Sequence, residues 1–304
     1  MLSFSQRRAA RRTHRRITIV ATLAIVSATL YACSDSLTST DDEGNLGGGL
    51  NRLYGSPVAI GNGHARTYIT SDQKNNGAPI EIGVAFDESA MDGLPMDMSG
   101  HGAGIDLPLP AQNSTAYKLV ELNWNPMGHE PATVYDQPHF DFHFYTISAA
   151  ERNAIDPVAL GGAAFQTKAS NLPIEAERFA FFVPVSPPGE PVAAVPFMGV
   201  HWADLRAPEL QGAFGHPENA KLFTTTILHG SWDGRFIFDE PMVTRAFIMG
   251  RKAATAPASR DSVMALPAAQ KYPTPAYHPD AYRVVYDAQT KEYRIALSQL
   301  TYRQ

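Results

Sequence analysis

Histidine and carboxylate side chains alternate along one short segment of the sequence, and both are common ligands of divalent metals. The segment runs from His139 to Tyr145 and reads HFDFHFY. On a β-strand, successive side chains point to opposite faces, so His139, Asp141 and His143 share one face. The phenylalanines share the other face, which must be the core. The segment therefore predicts a strand that carries imidazole, carboxylate and imidazole on its second face.

The spacing along this strand limits how the three side chains can be used. His139 and His143 lie about 13 Å apart on a straight strand, too far to bind one metal ion directly. A metal would use two of the three side chains and take further ligands from a neighbouring strand, and His201 in the segment MGVHWAD is the candidate there. The predicted metal ligands are His139, Asp141, His143, His201 and His129, with Glu240 as a further member.

This donor set allows more than one chemistry. Imidazole with carboxylate suits zinc, which we expect, and copper or iron are alternatives. In a catalytic scheme, a metal-dependent hydrolase or lyase, a metal-bound water attacks a small polar substrate, with Glu240 or Asp204 as general base. In the non-catalytic alternative, the protein is an envelope-stress binding or oligomeric assembly protein whose histidines are structural or hold a stabilising metal. His229, before a tight turn, either joins the site or is exposed. The sequence identifies no small-molecule ligand.

The elements that must position these residues are mostly short strands separated by Gly- and Pro-rich turns. This pattern predicts a mainly β fold, an antiparallel sandwich or barrel-like, with few short helices. Residues 148–151 (SAAE) have the form of a capping box and predict a short helix. Residues 243–249 are predicted to form a strand. One β-rich domain is expected over residues 53–304, with a loop-rich C-terminal part.

Four strings carry a resemblance to a known family: LNWNPMGHEP (residues 122–131), VYDQPHFDFHFY (134–145), MGVHWAD (198–204) and FDEPM (238–242). They resemble an uncharacterised bacterial lipoprotein domain family, typified by a thermophile protein under extracytoplasmic sigma-factor control whose structure is a ring-like oligomer. The resemblance would extend over about Leu53–Arg303. It implies an exported β-rich protein and a homo-oligomer, and it implies no reaction. A weaker resemblance is to α-type carbonic anhydrases, whose first two zinc-binding histidines are two residues apart, whereas His139 and His143 are four apart.

The N-terminus has the layout of an export signal. Arginines lie before an apolar run of 16 residues, 17–32, which is short for a membrane-spanning helix. The run ends in LYAC, which resembles a bacterial lipobox and implies cleavage before Cys33 and acylation of that cysteine. We therefore expect residues 1–32 to be a lipoprotein signal peptide. The lipid would anchor the protein in the bacterial cell envelope, at the outer membrane facing the periplasm.

The remaining chain is acidic. Six of the 25 Lys and Arg residues lie in the first 16 positions, so the processed chain keeps 19 against 30 Asp and Glu. Because nucleic-acid binding depends on clustered cations, this balance argues against a nucleic-acid partner. Residues 33–52 are polar and glycine-rich at their end, and they predict a flexible tether between lipid and domain.

Overall fold

The computed structural model describes residues 44–96, 104–186, 189–211 and 218–304. Within these ranges the fold is mainly β, with two antiparallel sheets, four short α-helices and no closed barrel. The predicted antiparallel sandwich is confirmed. In the described part of the chain, no helix combines the length and hydropathy needed to cross a membrane. The predicted signal peptide and Cys33 lie outside the described residues.

The first sheet contains eight strands: β1 (Gly44–Gly47), β2 (Leu50–Tyr54), β3 (Val58–Ile60), β4 (Gly63–Asp72), β5 (Ala78–Asp87), β13 (Asp261–Ala265), β14 (Ala276–Asp287) and β15 (Glu292–Arg303). Their order is β1–β2–β4–β5–β15–β14–β13, with β3 also paired to β4. The first and last thirds of the chain therefore meet in the centre of this sheet, where β5 pairs with β15.

The second sheet contains seven strands: β6 (Ile105–Leu107), β7 (Leu119–Asn125), β8 (His139–Tyr145), β9 (Phe182–Pro184), β10 (Val200–Asp204), β11 (Thr225–Trp232) and β12 (Arg235–Thr244). Their order is β6–β7–β8–β12–β11–β10–β9. Strand β8, which carries the alternating histidines, is thus an interior strand between β7 and β12. Both of its faces are buried along its whole length.

The core lies between the two sheets, and the phenylalanines of β8 are at its centre. Phe140, Phe142 and Phe144 are fully buried and belong to the main hydrophobic cluster, together with apolar side chains of β5 and β15. The ring of Phe86 on β5 lies 5.5 Å from that of Phe140 and 5.8 Å from that of Phe142, centroid to centroid. The alternation therefore directs His139, Asp141 and His143 to the outer face of the second sheet.

The helices are α1 (Ala149–Asn153), α2 (Pro157–Leu160), α3 (Gly162–Ser170) and α4 (Arg245–Ala253). The capping box predicted before α1 is present, with reciprocal hydrogen bonds between Ser148 and Glu151. The strand predicted over residues 243–249 is wrong beyond Thr244, where α4 begins. The Thr244 side chain accepts a hydrogen bond from the backbone N–H of Phe247, and this cap starts a helix in spite of the β-branched and aromatic residues nearby.

Strand β1 and the start of strand β2 lie inside residues 33–52, the segment predicted to be a flexible tether. Strands β1 and β2 pair as a hairpin and join the edge of the first sheet through β4. Gly47, Gly48 and Gly49 have positive φ angles of 77°, 64° and 94°. Glycine adopts this backbone conformation without steric cost, so the glycine run makes a tight turn.

Candidate metal centre

The candidate ligands form two groups of two histidines and one carboxylate. The first group is His129, His139 and Asp141, and the second is His143, His201 and Glu240. Within each group the ligand atoms lie within 4.8 Å of one another. No further group of this kind occurs among the residues that the structure describes. His139 and His143 therefore belong to different groups, as their separation along the strand requires.

Strand pairing brings the members of each group together on the outer face of the second sheet. Asn125 and Asn123 of β7 lie opposite His139 and Asp141 of β8. On the other side, Met242 of β12 pairs with Asp141. Glu240, two residues before Met242, therefore points to the same face as Met242 and Asp141. Hydrophobic side chains from the connecting segments cover this face, namely Val134, Tyr135, Phe223, Ile147, Ile155 and Phe165.

The Asp141 carboxylate is the centre of the first group. Its Oδ1 lies 3.0 Å from His139 Nε2, and its Oδ2 lies 3.3 Å from His129 Nε2. Asn125 donates a hydrogen bond of 2.7 Å from Nδ2 to Oδ2. His139 is fully buried and 25% of the His129 side chain is exposed, so the group lies just beneath the surface.

Backbone carbonyl oxygens determine which nitrogen of each imidazole in this group carries the hydrogen. His139 Nδ1 lies 2.6 Å from the carbonyl oxygen of Gln137, and His129 Nδ1 lies 2.6 Å from that of Glu130. Because a carbonyl only accepts, each Nδ1 carries the hydrogen. In a neutral ring the Nε2 atom then presents a lone pair to the carboxylate of Asp141. Two acceptors at such a distance repel, unless a proton or a cation lies between them.

The second group gathers around Glu240. Its Oε1 lies 3.3 Å from His143 Nε2, and its Oε2 lies 3.5 Å from His201 Nε2. His143 and Glu240 are almost completely buried, and 15% of the His201 side chain is exposed. His143 Nε2 and Glu240 Oε2 have no hydrogen-bond partner among the described residues. Buried polar atoms are normally paired, so these atoms need an additional group between them.

A glycine on the intervening strand makes the second group sterically feasible. Strand β11 lies between β10 and β12, and its Gly230 pairs with His201 on one side and with Phe238 on the other. A Cβ atom at Gly230 would lie 1.9 Å from Cε1 of Phe238. The Phe238 ring instead occupies this space, with its centroid 5.0 Å from that of His143 and 5.2 Å from that of His201.

The electrostatics of the two groups differ when no cation is bound. Burial would raise the pKa of Asp141, but His139 and His129 outweigh it and hold that pKa well below 3.8. Burial opposes protonation of His129, and the Asp141 charge nevertheless raises its pKa above 6.5. In the second group, burial raises the pKa of Glu240 well above 4.5. Burial also lowers the pKa of His143 to about 3 and that of His201 to about 4.

A third buried carboxylate on this face, Glu121, is committed elsewhere. It lies opposite His143 in the β7–β8 pairing. Arg152 of α1 forms a 2.7 Å salt bridge from Nη1 to Glu121 Oε2 and a second salt bridge to Asp106. The guanidinium therefore neutralises Glu121, which leaves Glu240 as the carboxylate that faces His143.

The remaining predicted site residues lie apart from both groups. The Asp204 carboxylate forms hydrogen bonds with the Arg206 side chain, Nε to Oδ1 at 2.9 Å and Nη2 to Oδ2 at 2.6 Å, and it does not join the histidines. His229 is buried on the inner face of the sheet, opposite Asp239. The sequence reasoning missed Asn125 and Gly230. A signal for Asn125 was present, because Asn123 and Asn125 alternate in LNWN with the same period as the histidines.

The donor atoms of both groups fit a divalent transition metal. Zinc binds imidazole nitrogen at about 2.0–2.1 Å and carboxylate oxygen at about 2.0–2.2 Å. In a tetrahedral site those bond lengths separate neighbouring ligand atoms by about 3.3 Å. The four N–O distances, which in each group run to the two different oxygens of the carboxylate, are 3.0, 3.3, 3.3 and 3.5 Å, and the three ligand atoms of each group lie within 4.8 Å of one another. Each group could therefore hold one ion with three protein ligands and one further position.

Comparison with known proteins gives one match. A family model described as "TTHB210-like: Hypothetical protein TTHB210" matches residues 75–124, which include β5 and most of β7. This supports an uncharacterised domain family for that part of the chain. None of the six candidate ligands lies within the matched residues. No curated protein and no solved structure gives a significant match.

Proposed function

We propose that this chain is a metal-binding protein that holds a divalent cation at each of its two groups of two imidazoles and a carboxylate. One observation carries the proposal: in both groups the Nε2 atoms face carboxylate oxygens at 3.0–3.5 Å. In the first group the Nδ1 protons are already donated to backbone carbonyls. This is the arrangement by which metal-binding histidines are oriented, with the far nitrogen held by an outer hydrogen bond.

Zinc is the cation we propose, because neutral imidazole and carboxylate suit it and the N–O distances match a tetrahedral site. Iron(II) is the alternative, since two histidines and one carboxylate with open positions also bind it. Burial raises the pKa of Glu240, so a cation in the second group would have to displace the carboxyl proton. A cation there would ionise the carboxylate, and its binding would release that proton.

The arrangement supports binding more strongly than catalysis. Of the two residues expected to act as general base, Glu240 is itself a candidate ligand, and Asp204 is engaged by Arg206. A general base must be able to reach the proton it takes, and neither carboxylate has that freedom. We therefore propose a stabilising or storage role for the metal and no reaction.

We further propose that the protein works in the bacterial cell envelope, anchored by lipid on Cys33. The sequence supports this through the basic N-terminus, the apolar run of residues 17–32 and the LYAC string. Metal binding and anchoring are separate claims, because the candidate ligands all lie between residues 129 and 240.

The test of metal binding is the metal content of the full chain, purified in detergent without chelators and measured by inductively coupled plasma mass spectrometry. We expect about two equivalents of zinc per chain, one for each group. His129→Ala and His201→Ala should each lose about one equivalent, and the His139→Ala/His201→Ala double variant should lose both. His64→Ala is the matched control, because this histidine is 49% exposed, pairs with Asp87 and belongs to neither group, and it should keep both equivalents.

Two results would overturn the proposal. The first is metal retention by the double variant at the level of the unmodified chain. The second is a metal-free chain that takes up no zinc or iron(II) in a calorimetric titration. In that case the groups are held by shared protons, and His129 would titrate as an imidazolium paired with Asp141.

A further inference from the structure

A separate cleft of about 670 Å³ opens where β11 and β12 of the second sheet approach the start of β14 in the first sheet. Its volume lies within the range of small-molecule sites, about 300–1,000 Å³. His229 and Asp239 line it, and both point to the inner face of the second sheet. The neighbouring Glu240 points to the outer face, so the side chains of His229 and Asp239 lie on the face of the sheet opposite the metal ligands.

A hydrogen-bonded chain of three side chains lies in this cleft, in which Tyr117 and His229 are buried and Asp239 is half-buried. His229 Nδ1 is 2.6 Å from Asp239 Oδ1, and the Tyr117 hydroxyl donates to Asp239 Oδ2. One Asp239 oxygen accepts from Tyr117 and the other from His229, which places the hydrogen of the imidazole on Nδ1. In the neutral ring Nε2 is then an acceptor.

The acceptor atom of His229 has no partner. Only 1% of the side chain is exposed, and Nε2 makes no hydrogen bond with any described residue. Leaving a buried polar atom unpaired costs about 1–3 kcal/mol. His278, which lines the cleft from β14, also has a buried Nε2 atom without a described partner. The Nε2 atoms of two imidazoles in one cleft thus lack hydrogen-bond partners among the described residues.

The walls and rim of the cleft define what else a ligand would meet. The Phe179 ring is stacked on His229 at 3.8 Å, and Phe236 and Tyr272 add further aromatic surface. The lining residues include three cations, Lys118, Arg235 and Lys271, against two carboxylates, Glu177 and Asp239. Lys118 and Lys271 form no salt bridge with any described residue, so both are available to an anionic group.

We propose that this cleft binds a small aromatic acid that carries a hydroxyl group. The hydroxyl donates to His229 Nε2, the aromatic ring packs against the phenylalanine and tyrosine side chains, and the acid group meets Lys118 and Lys271. The binding is non-covalent. It does not depend on the metal groups, which lie on the other face of the sheet.

The test uses two probes that differ only in the hydroxyl group, 6-hydroxy-2-naphthoate and 2-naphthoate. Calorimetry on the full chain should show at least about tenfold tighter binding of the hydroxylated probe. His229→Asn should abolish this preference, because the asparagine amide can still donate to Asp239 but provides no atom at the Nε2 position. Binding should be the same with and without a chelator.

The charged end of the ligand has its own variants. Lys118→Ala/Lys271→Ala should weaken both probes about equally, by tenfold or more. Lys168→Ala should change neither, because that lysine pairs with Asp233 outside the cleft. Equal affinity of the unmodified chain for the two probes would overturn the proposal without any variant. So would an absence of binding at millimolar probe, or a hydroxyl preference that persists in His229→Asn.

Discussion

His139 Nε2 lies 3.0 Å from Oδ1 of Asp141, two residues further along the same strand. Such neighbours are about 7 Å apart at the backbone, so their side chains must lean towards each other. The carbonyl oxygen of Gln137 accepts a hydrogen bond from Nδ1 of His139, and this contact orients the ring towards Asp141. The pair forms one candidate ligand group with the loop residue His129, and His143 forms the other with Glu240 and His201. One strand therefore contributes to two sites.

Asn125 should tune the metal affinity of the first group alone. Its Nδ2 atom donates a hydrogen bond of 2.7 Å to the Asp141 carboxylate, and Asn125 is not itself a candidate ligand. Loss of such an outer hydrogen bond typically costs about 10–100-fold in metal affinity. We predict this loss for Asn125→Ala at the first group, and no change at the second group, in a competition titration with a zinc chelator.

Asn123→Ala is the matched control for that variant. Asn123 lies on the same strand and face and is equally buried, but it makes no hydrogen bond with Asp141. Its substitution should leave both affinities unchanged. An equal loss in the two variants would mean that general destabilisation, and not the hydrogen bond, sets the affinity.

Gly230 should be intolerant of even one added carbon. The new Cβ would lie 1.9 Å from the Phe238 ring, which is buried between His143 and His201. We predict that Gly230→Ala lowers the free energy of unfolding by about 1–3 kcal/mol and removes the metal of the second group. At Gly250 in α4, an added Cβ would have no neighbouring atom within 4 Å. Gly250→Ala should therefore raise the free energy of unfolding by about 0.5–1 kcal/mol. Urea denaturation and metal analysis would measure both, and a Gly230→Ala chain with full stability and metal content would contradict the packing described.

The Asp239 carboxylate should make a pH-dependent contribution to stability. Burial raises its pKa, but the hydrogen bonds from His229 and Tyr117 outweigh burial and lower that pKa below 3.8 in the folded chain. The unfolded chain therefore binds more protons on this residue as the solution is acidified. The contribution is complete above pH 3.8 and is lost as the pH falls through the folded pKa. We predict that Asp239→Asn is about 1–3 kcal/mol less stable than the unmodified chain at pH 7. The gap should narrow below pH 3.8.

Asp92→Asn provides the comparison for this pH series. Its carboxylate is 70% exposed and forms one 3.7 Å salt bridge with Arg245. Surface changes of this kind are usually within about 0.5 kcal/mol, so this variant should follow the unmodified chain at every pH. A constant gap between Asp239→Asn and the unmodified chain from pH 7 to pH 3 would show that the aspartate contributes by shape and not by charge.

Cys33 should determine whether the protein sediments with membranes. Acylation of its thiol and of the new amino terminus gives the chain a membrane anchor of more than one acyl chain, which is needed for stable attachment. Cys33→Ser should lose the lipid mass in intact mass spectrometry and leave the membrane fraction. His64→Ala should remain there. A Cys33→Ser chain that stays membrane-bound without lipid would instead indicate an uncleaved signal anchor.

The sequence predicted those features that depend on local periodicity. The two-residue period of HFDFHFY placed the phenylalanines in the core and the histidines on the opposite face. It also excluded a metal shared directly by His139 and His143. The helix after Thr244 was missed because its start depends on one side-chain cap in a segment with strand-like composition.

The grouping of ligands could not be predicted, because it depends on strand order. The pairing of β8 with β12, and of His201 with Gly230 on the strand next to β12, brings together residues about 40 to 100 positions apart. Periodicity carries no information about such pairing. Asp204 is a different case, because a local contact with Arg206, two residues later, engages its carboxylate.

Anomalous X-ray diffraction at the zinc edge, from crystals of the chain grown with zinc, tests the central claim most directly. We predict two anomalous peaks per chain. One should lie about 2.0–2.2 Å from the ligand atoms of His129, His139 and Asp141, and the other at that distance from the corresponding atoms of His143, His201 and Glu240. Ordered side chains in both groups with no anomalous peak between them would contradict it.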